Sequence, residues 1–93
     1  MTDREKLHYL IKEYIKGSYP CSEFCDEFTV QYDIKTDYTT LSDEENECFN
    51  VLSEISARFS DDNEDLKIPN VYFAKKHLDA KINEIVNRLK III

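Results

Sequence analysis

Apolar side chains recur every three or four residues in four separate stretches of this 93-residue chain. That spacing places them along one face of an α-helix. The sequence has only one glycine and two prolines, too few turn formers for a domain of many strands. A chain this short builds one hydrophobic core. We therefore predict a single all-α domain over residues 1–93, in which four amphipathic helices form an antiparallel four-helix bundle.

Start and stop signals define the first two helices. Thr2 and Glu5 have the T-x-x-E spacing of a capping box, and Gly17 is a helix stop. Pro20 suits the first turn of a second helix of about 13 residues. Residues 33–40 show no such repeat and are predicted to form a connection. The two apolar faces consist of Leu7, Leu10, Ile11, Tyr14 and Ile15, and of Cys21, Phe24, Cys25, Phe28 and Tyr32.

A second capping box, S-x-x-E at Ser42 and Glu45, opens the third helix. Residues 60–65 are predicted to be an acidic loop, which Pro69 and Asn70 prolong. A last helix of about 20 residues follows, and the terminal Ile91–Ile93 is open to three interpretations: a frayed end, a strand or a docking tail. The apolar faces are Cys48, Phe49, Leu52, Ile55 and Phe59, and Leu78, Ile82, Ile85, Val86 and Leu89.

The charge is strongly segregated along the chain. Residues 22–65 carry a net charge of −12, whereas residues 1–21 and 66–93 carry +1 and +4. Carboxylates of the middle segment are predicted to point outward from the second and third helices. Asp43 and Glu47 are a like-charge pair at i, i+4, which destabilises a helix. Acidic surfaces also serve solubility, but this density favours a surface that binds a strongly basic partner.

The predicted partner-binding surface combines the outward acids of the third helix with the acidic loop. Tyr72 is added because tyrosine in a connection is a rigid anchor with a polar tip, although packing is an equal alternative for it. The candidate residues are Asp43, Glu44, Glu47, Glu54, Asp61, Asp62, Glu64, Asp65 and Tyr72.

Overall charge and hydropathy exclude several other classes of partner. The net charge of −7 argues against direct binding of nucleic acid or of an anionic membrane. No apolar run approaches the roughly 20 residues of a membrane span, and the first residues lack the apolar core of a signal peptide. We expect a cytoplasmic protein, a monomer or weak dimer when free. Three cysteines are an odd number for a disulfide framework, so reduced, packed thiols are expected.

Catalytic and metal-binding patterns are weak. Asp61, Asn63 and Asp65 match the first ligands of a Ca²⁺ loop, but Leu66 replaces the required glycine and Tyr72 the bidentate glutamate. A zinc site built from Cys21, Cys25, Cys48 and His77 is less favoured than packing, because the thiols lie on apolar faces. His8 and His77 stand in no catalytic motif, and one glycine cannot make a phosphate-binding loop. We therefore expect no enzyme, no cofactor and no bound metal.

Three motifs resemble the bacterial self-protective immunity family typified by the colicin D immunity protein, which includes immunity proteins of contact-dependent growth inhibition systems. They are Glu23-Phe24-x3-Phe28, Leu41-Ser42-x2-Glu45-x3-Phe49-x2-Leu52, and Arg58-Phe59-Ser60 followed by an acidic loop. The resemblance implies an antiparallel four-helix protein that binds and neutralises the basic C-terminal nuclease domain of a toxin, often a tRNA-cleaving one. It implies inhibitory roles for the acids Glu44, Glu47, Glu54, Asp61, Asp62, Glu64 and Asp65.

Two alternative functions remain. The same acidic surface suits a non-enzymatic regulatory or adaptor module that recruits a basic protein partner. A small metal-dependent enzyme is the third interpretation. The identity of the partner distinguishes an immunity protein from an adaptor module, and metal analysis tests the metal-dependent enzyme.

Overall fold

A computed structural model describes residues 1–68 and 72–91 of the chain. Of these described residues, 74% are helical, and none belongs to a β-strand. The all-α class is therefore confirmed. The five α-helices of the described ranges are α1 (Asp3–Ile15), α2 (Cys21–Val30), α3 (Asp43–Ala57), α4 (Asn63–Leu66) and α5 (Lys75–Leu89). No helix in these ranges has the length and apolar character needed to cross a bilayer.

Local caps explain why α1 and α3 begin where they do. Thr2 and Ser42 each accept a hydrogen bond from the backbone N–H three residues on, and the carboxylates of Glu5 and Glu45 accept one from the backbone N–H of the cap residue. Both predicted capping boxes are thus confirmed. Gly17 adopts a φ of 88° just after α1, a left-handed conformation that glycine reaches without strain.

The second helix widens at its C-terminal end. Gln31–Lys35 forms a π-helix that continues α2, and Tyr38–Thr40 forms a short 3-10 turn. The Thr36 hydroxyl donates a 2.7 Å hydrogen bond to the Gln31 carbonyl. The interpretation of residues 33–40 as a plain connection was therefore incomplete, because helical winding extends to Lys35.

Four predicted apolar faces meet in one core. Leu7, Leu10 and Ile11 of α1 are buried, as are Leu78, Ile82 and Ile85 of α5. Between them lies an aromatic group from α2, the π-helix and α3, in which the Phe28 ring lies 5.5 Å from Phe24 and 5.9 Å from Phe49. Offset and edge-to-face pairs at such distances stabilise a core beyond simple burial. The core therefore forms largely where periodicity placed it. Ile15 is an exception, because it was assigned to the apolar face of α1 but is 37% exposed.

The acidic loop after α3 contains structure that the sequence analysis missed. Phe59 lies beyond the end of α3, is only partly buried, and forms an isolated parallel bridge with Phe73. Asn63–Leu66 makes one turn of helix inside the predicted loop. The predictions for Pro69, Asn70, Ile92 and Ile93 lie outside the described residues. Ile91 is buried, because Lys90 turns the chain back through a left-handed conformation.

Candidate functional site

Periodicity places the predicted acids of α3 correctly. Asp43, Glu44, Glu47 and Glu54 are all exposed on the outward side of the helix. Three of them already contact cations of the same chain. Arg88 of α5 lies 3.3 Å from a Glu44 carboxylate oxygen and 3.5 Å from one of Glu47, and Arg58 lies 3.8 Å from Glu54. The negative potential at the N-terminal end of α3 is thus partly compensated.

The acids of residues 61–65 stabilise their own loop. Asp62 caps α4 by accepting a 2.9 Å hydrogen bond from the Glu64 backbone N–H. Asp65 accepts one from the Ser60 hydroxyl, and Glu64 pairs with Lys67 at 3.1 Å. Among the described residues, Asp61 alone of this predicted group is exposed with neither a hydrogen bond nor an ion pair at its side chain.

Tyr72 is exposed in the connection that precedes α5. Its side chain stands apart from the core cluster formed by the described residues. That position is compatible with the predicted role as an interface anchor, and the role itself stays a prediction.

Glu45 is buried, which the sequence analysis did not anticipate for a residue recognised only as part of a capping box. Its carboxylate lies 2.7 Å from Arg4 Nε and 2.8 Å from His8 Nε2. Burial by itself raises the pKa of Glu45, but the Ser42 backbone N–H, His8 and Arg4 outweigh it and lower the pKa. The Glu45 carboxylate therefore links α1 to the start of α3. Its contact with Arg4 is a structural ion pair, and Glu45 does not belong to the exposed acidic surface.

A groove between α2 and α3 gathers a different set of carboxylates. It consists of two adjoining concavities, of about 530 and 370 Å³, which share Ala57. No basic side chain of the described chain lines either of them. We call this feature the α2–α3 groove and define it by Asp26, Val30, Asp33, Glu54, Ala57 and Asp61.

The groove combines charge with exposed apolar surface. Asp26, Asp33 and Asp61 form no ion pair with the described residues, although Asp33 accepts a 2.7 Å hydrogen bond from the Ser53 hydroxyl. Val30 lines the larger concavity and is 40% exposed, and Ile34, which follows four residues on outside the lining of both concavities, is 76% exposed. An apolar centre bordered by polar groups is the usual anatomy of a protein interface.

Two hydroxyl groups under the groove lack hydrogen-bond partners. Thr29 Oγ1 and Ser56 Oγ are buried and make no hydrogen bond within the described part of the chain. Both residues line the larger concavity, and Ser56 is only 5% exposed. Buried polar groups are normally paired, so these two hydroxyls depart from the usual pattern. Both oxygens are closed off from solvent behind the wall of the concavity.

The three cysteines are free thiols, as expected. Cys25 and Cys48 are buried, and Cys21 is partly buried at the first position of α2. Burial raises the pKa of Cys25 to about 12 and also raises that of Cys48, which disfavours the thiolate that a nucleophile requires. Within residues 1–68 and 72–91, no three histidine, cysteine or carboxylate groups cluster closely enough to hold a metal ion.

A further concavity near the α1–α2 turn is lined by Tyr14, Cys21, Lys75 and Asp79. The Tyr14 hydroxyl donates a 2.6 Å hydrogen bond to Asp79, which also pairs with Lys75 at 2.6 Å. Burial of Asp79 opposes ionisation, but the contacts with Lys75 and Tyr14 lower its pKa. These polar groups satisfy one another, so they join α1 to α5.

Comparison with known proteins gives no match, whether to a family model, to a curated protein or to a solved structure. The resemblance to colicin D-like immunity proteins is not tested by these comparisons and stays a prediction. The structure brings only Glu54 and Asp61 of the predicted site residues into the α2–α3 groove. The other two acids of the groove are Asp26 of α2 and Asp33 of the π-helix. Both were predicted to point outward but were not included in the predicted site.

Proposed function

We propose that this protein is a non-enzymatic inhibitor of the immunity type, which binds and neutralises a cognate basic nuclease toxin through an acidic surface. The observation that carries the proposal is the net charge of −12 on residues 22–65, in a chain whose flanking segments are positive. A concentrated negative field speeds encounter with a basic protein and repels acidic ones. The family resemblance supports a nuclease toxin, cleaving tRNA, as the partner.

The proposal includes an antiparallel four-helix bundle as the scaffold. Contacts between consecutive long helices support it: Tyr14 near the end of α1 packs 4.8 Å from Phe24 near the start of α2, and Tyr32 after α2 donates to Asn46 at the start of α3. Arg88 at the end of α5 reaches the start of α3. A cytoplasmic location belongs to the same proposal, because a nuclease toxin of this kind acts on cytoplasmic RNA.

Carboxylates suit inhibition of a nuclease for a simple chemical reason. A nuclease that cleaves RNA holds phosphate groups with cationic side chains, and carboxylates form charge-assisted hydrogen bonds with the same cations. Exposed acids of this chain would occupy those phosphate-binding positions and exclude the substrate. The inhibitor needs no metal or cofactor for this task.

A protection assay tests the proposal. The chain is co-expressed with the nuclease domain encoded by the neighbouring gene, and host survival is measured alongside the association rate of the purified proteins. We expect the wild-type chain to protect cells and to associate more slowly as salt rises from 20 to 500 mM, since salt screens exposed charges. The triple variant Glu47→Lys, Glu54→Lys, Asp61→Lys should stay folded and lose protection. Full protection by this variant, or an association rate independent of salt, would contradict the proposal.

One observation favours a second function, that of an adaptor recruiting a basic protein without inhibiting it. An inhibitor whose carboxylates only take the place of phosphate groups requires charge alone, yet the helical segment that bears Asp26 and Asp33 also exposes Val30 and Ile34. Apolar groups of this kind add affinity for a broad protein surface. Purification of the native partner separates the two functions: a nuclease domain supports immunity, and a housekeeping basic protein supports recruitment.

A further inference from the structure

We infer that the docking surface is the α2–α3 groove, and that its occupant is an amphipathic, cationic segment of the partner protein whose apolar side chains cover Val30 and Ile34. This inference deepens the proposed function and rests on its premise of a basic protein partner. It moves the binding site from the acids at the N-terminal end of α3 to a surface shared by two helices.

Charge supports this location. At the N-terminal end of α3, Glu44 and Glu47 are already within 3.5 Å of Arg88. In the groove, Asp26 and Asp61 have no ion pair with any described residue, and the lining of its two concavities contains no cation. Lys75 lines a further concavity that shares Asp61, but it forms its ion pair with Asp79. A basic partner gains more from unpaired carboxylates than from carboxylates that must first release an internal partner.

Apolar exposure fixes the chemistry of the occupant. Val30 lines the larger concavity beside Asp26 and is 40% exposed. Ile34, four residues further on and outside the lining of both concavities, is 76% exposed. A purely hydrophilic cationic segment would leave these side chains in water. A segment that alternates lysine or arginine with aliphatic residues buries them, and each charge still meets a carboxylate.

Unpaired hydroxyls supply a second, independent observation. Ser56 lines the larger concavity and is only 5% exposed. Its hydroxyl has no hydrogen-bond partner among the described residues. Thr29 Oγ1 is also buried and has no hydrogen-bond partner among the described residues, although Thr29 as a whole is only partly buried. An ammonium or guanidinium group that enters the concavity meets the Asp26 and Asp61 carboxylates first, and it can donate to more than one acceptor. The two hydroxyl oxygens are closed off from solvent and come within its reach only if the wall of the concavity shifts. The adjoining π-helix agrees, because π-turns occur frequently at functional sites.

A peptide-binding experiment on the full chain tests this inference without the toxin. The probe is a synthetic amphipathic helix of leucine and lysine, compared with an oligolysine of equal charge and with a neutral amphipathic helix. Backbone amide shifts map the contact, and fluorescence anisotropy gives the affinity. We expect the shifts to concentrate in residues 26–34 and 53–61, and the amphipathic cationic peptide to bind at least about tenfold more tightly than either control.

Matched variants locate the binding energy. Asp26→Asn with Asp61→Asn removes two charges from the groove, whereas Asp43→Asn with Glu47→Gln removes two charges from the other end of α3. Ile34→Ser is matched by Ile15→Ser, which alters another exposed isoleucine. We expect the groove variants to weaken binding by about fivefold or more and the matched variants by less than about twofold. Thermal melts confirm that each variant is folded.

Contrary outcomes are equally specific. The groove assignment would be overturned by equal losses of affinity in the groove variants and their matched controls, or by oligolysine binding as tightly as the amphipathic helix. Amide shifts centred on Glu44 and Glu47, or no binding at all, would overturn it as well. Because the toxin takes no part in this assay, the groove can be established while the immunity proposal fails in the protection assay. The reverse combination would retain immunity and place its surface elsewhere.

Discussion

At the scale of single residues, Glu45 shows how one side chain serves two structures at once. Its backbone-facing oxygen closes the capping box of α3 through the Ser42 N–H, and its other oxygen receives Arg4 and His8 from α1. The capping role was readable from the S-x-x-E spacing. The long-range role was not, because nothing in the local sequence shows that residues 37 and 41 positions away meet it.

We predict that Glu45→Gln lowers the free energy of unfolding at neutral pH by about 1–3 kcal/mol, since it removes charge-assisted hydrogen bonds from a buried site. The pKa of Glu45 is lowered in the folded chain, so its contribution is fully present above the unfolded pKa and is lost as pH falls through the folded one. Urea titrations at several pH values should therefore show a smaller loss of stability on acidification for Glu45→Gln than for wild type. An equal effect of Glu44→Gln, its exposed neighbour, would contradict this explanation.

The thiols offer a second prediction at this scale. Cys21 is partly buried, while Cys25 and Cys48 are buried and have raised pKa values. We expect an aromatic disulfide reagent at pH 8 to modify one thiol of the native protein readily and the other two only at the rate of unfolding. Cys21→Ser should abolish the first phase alone. Rapid modification of all three thiols in the folded protein would show that the core is open.

At the scale of elements, the capped starts of α1 and α3 and the glycine stop after α1 were the most predictable features, and helix irregularities the least. The other ends were less predictable, because α3 ends at Ala57, before Phe59, and α5 has 15 residues instead of about 20. Thr2, Ser42 and Gly17 signal ends through their own side chain or lack of one, so local sequence is sufficient. The π-helix at Gln31–Lys35 is accompanied by a hydrogen bond that the Thr36 hydroxyl donates to the Gln31 carbonyl and by one from the Tyr32 hydroxyl to Asn46. Neither contact leaves a periodic signal in the sequence. The turn of α4 was missed for a related reason, because four residues are too few to show a period.

Two left-handed residues next to helix C-termini give a paired prediction. Gly17 has φ of 88° with no atom near its missing side chain, and Lys90, the C-cap of α5, has φ of 55°. We expect Gly17→Ala to lower the unfolding free energy by about 1 kcal/mol through backbone strain alone, and Lys90→Gly to raise it by about 0.5–1 kcal/mol. Lys16→Gly is the control, because Lys16 has an ordinary right-handed conformation and gains nothing from glycine. Chemical denaturation measures all three, and stabilisation by Lys16→Gly as large as that by Lys90→Gly would refute the argument.

At the scale of the whole molecule, composition and periodicity were enough for the all-α class and for most core residues. The location of the acidic surface was only partly predictable. Sequence gives the outward direction of each carboxylate, but it does not show which ones meet a cation from another helix. Arg88 lies far along the chain from Glu44 and Glu47, so their pairing became visible only in three dimensions. The same holds for Asp26 of α2 and Asp61 of the segment between α3 and α4, which line one concavity although they are far apart in the chain.

Charge repulsion should be measurable in the free protein. Asp26, Glu27 and Asp61 form no ion pair with the described residues. We expect the triple variant Asp26→Asn, Glu27→Gln, Asp61→Asn to have a higher melting temperature than wild type at 20 mM salt. The gain corresponds to about 1 kcal/mol and should shrink in 0.5 M salt as repulsion is screened. The matched variant Glu44→Gln, Glu54→Gln, Glu64→Gln removes three paired charges and should give no gain. Scanning calorimetry decides the matter, and equal gains in both variants would show that only the net charge counts.

The bridge between Phe59 and Phe73 has a practical consequence. Two backbone hydrogen bonds of 2.9 Å, from Ser60 N–H to the Phe73 carbonyl and from Phe73 N–H to the Arg58 carbonyl, hold the two ends of the intervening chain together. A segment pinned at its base can be lengthened cheaply, since doubling a loop adds only about 0.6 kcal/mol of closure entropy. The exposed junction of Lys67 and Ile68 is therefore a suitable place to graft an epitope tag or a fluorophore-bearing insert without altering how α3 and α5 are anchored.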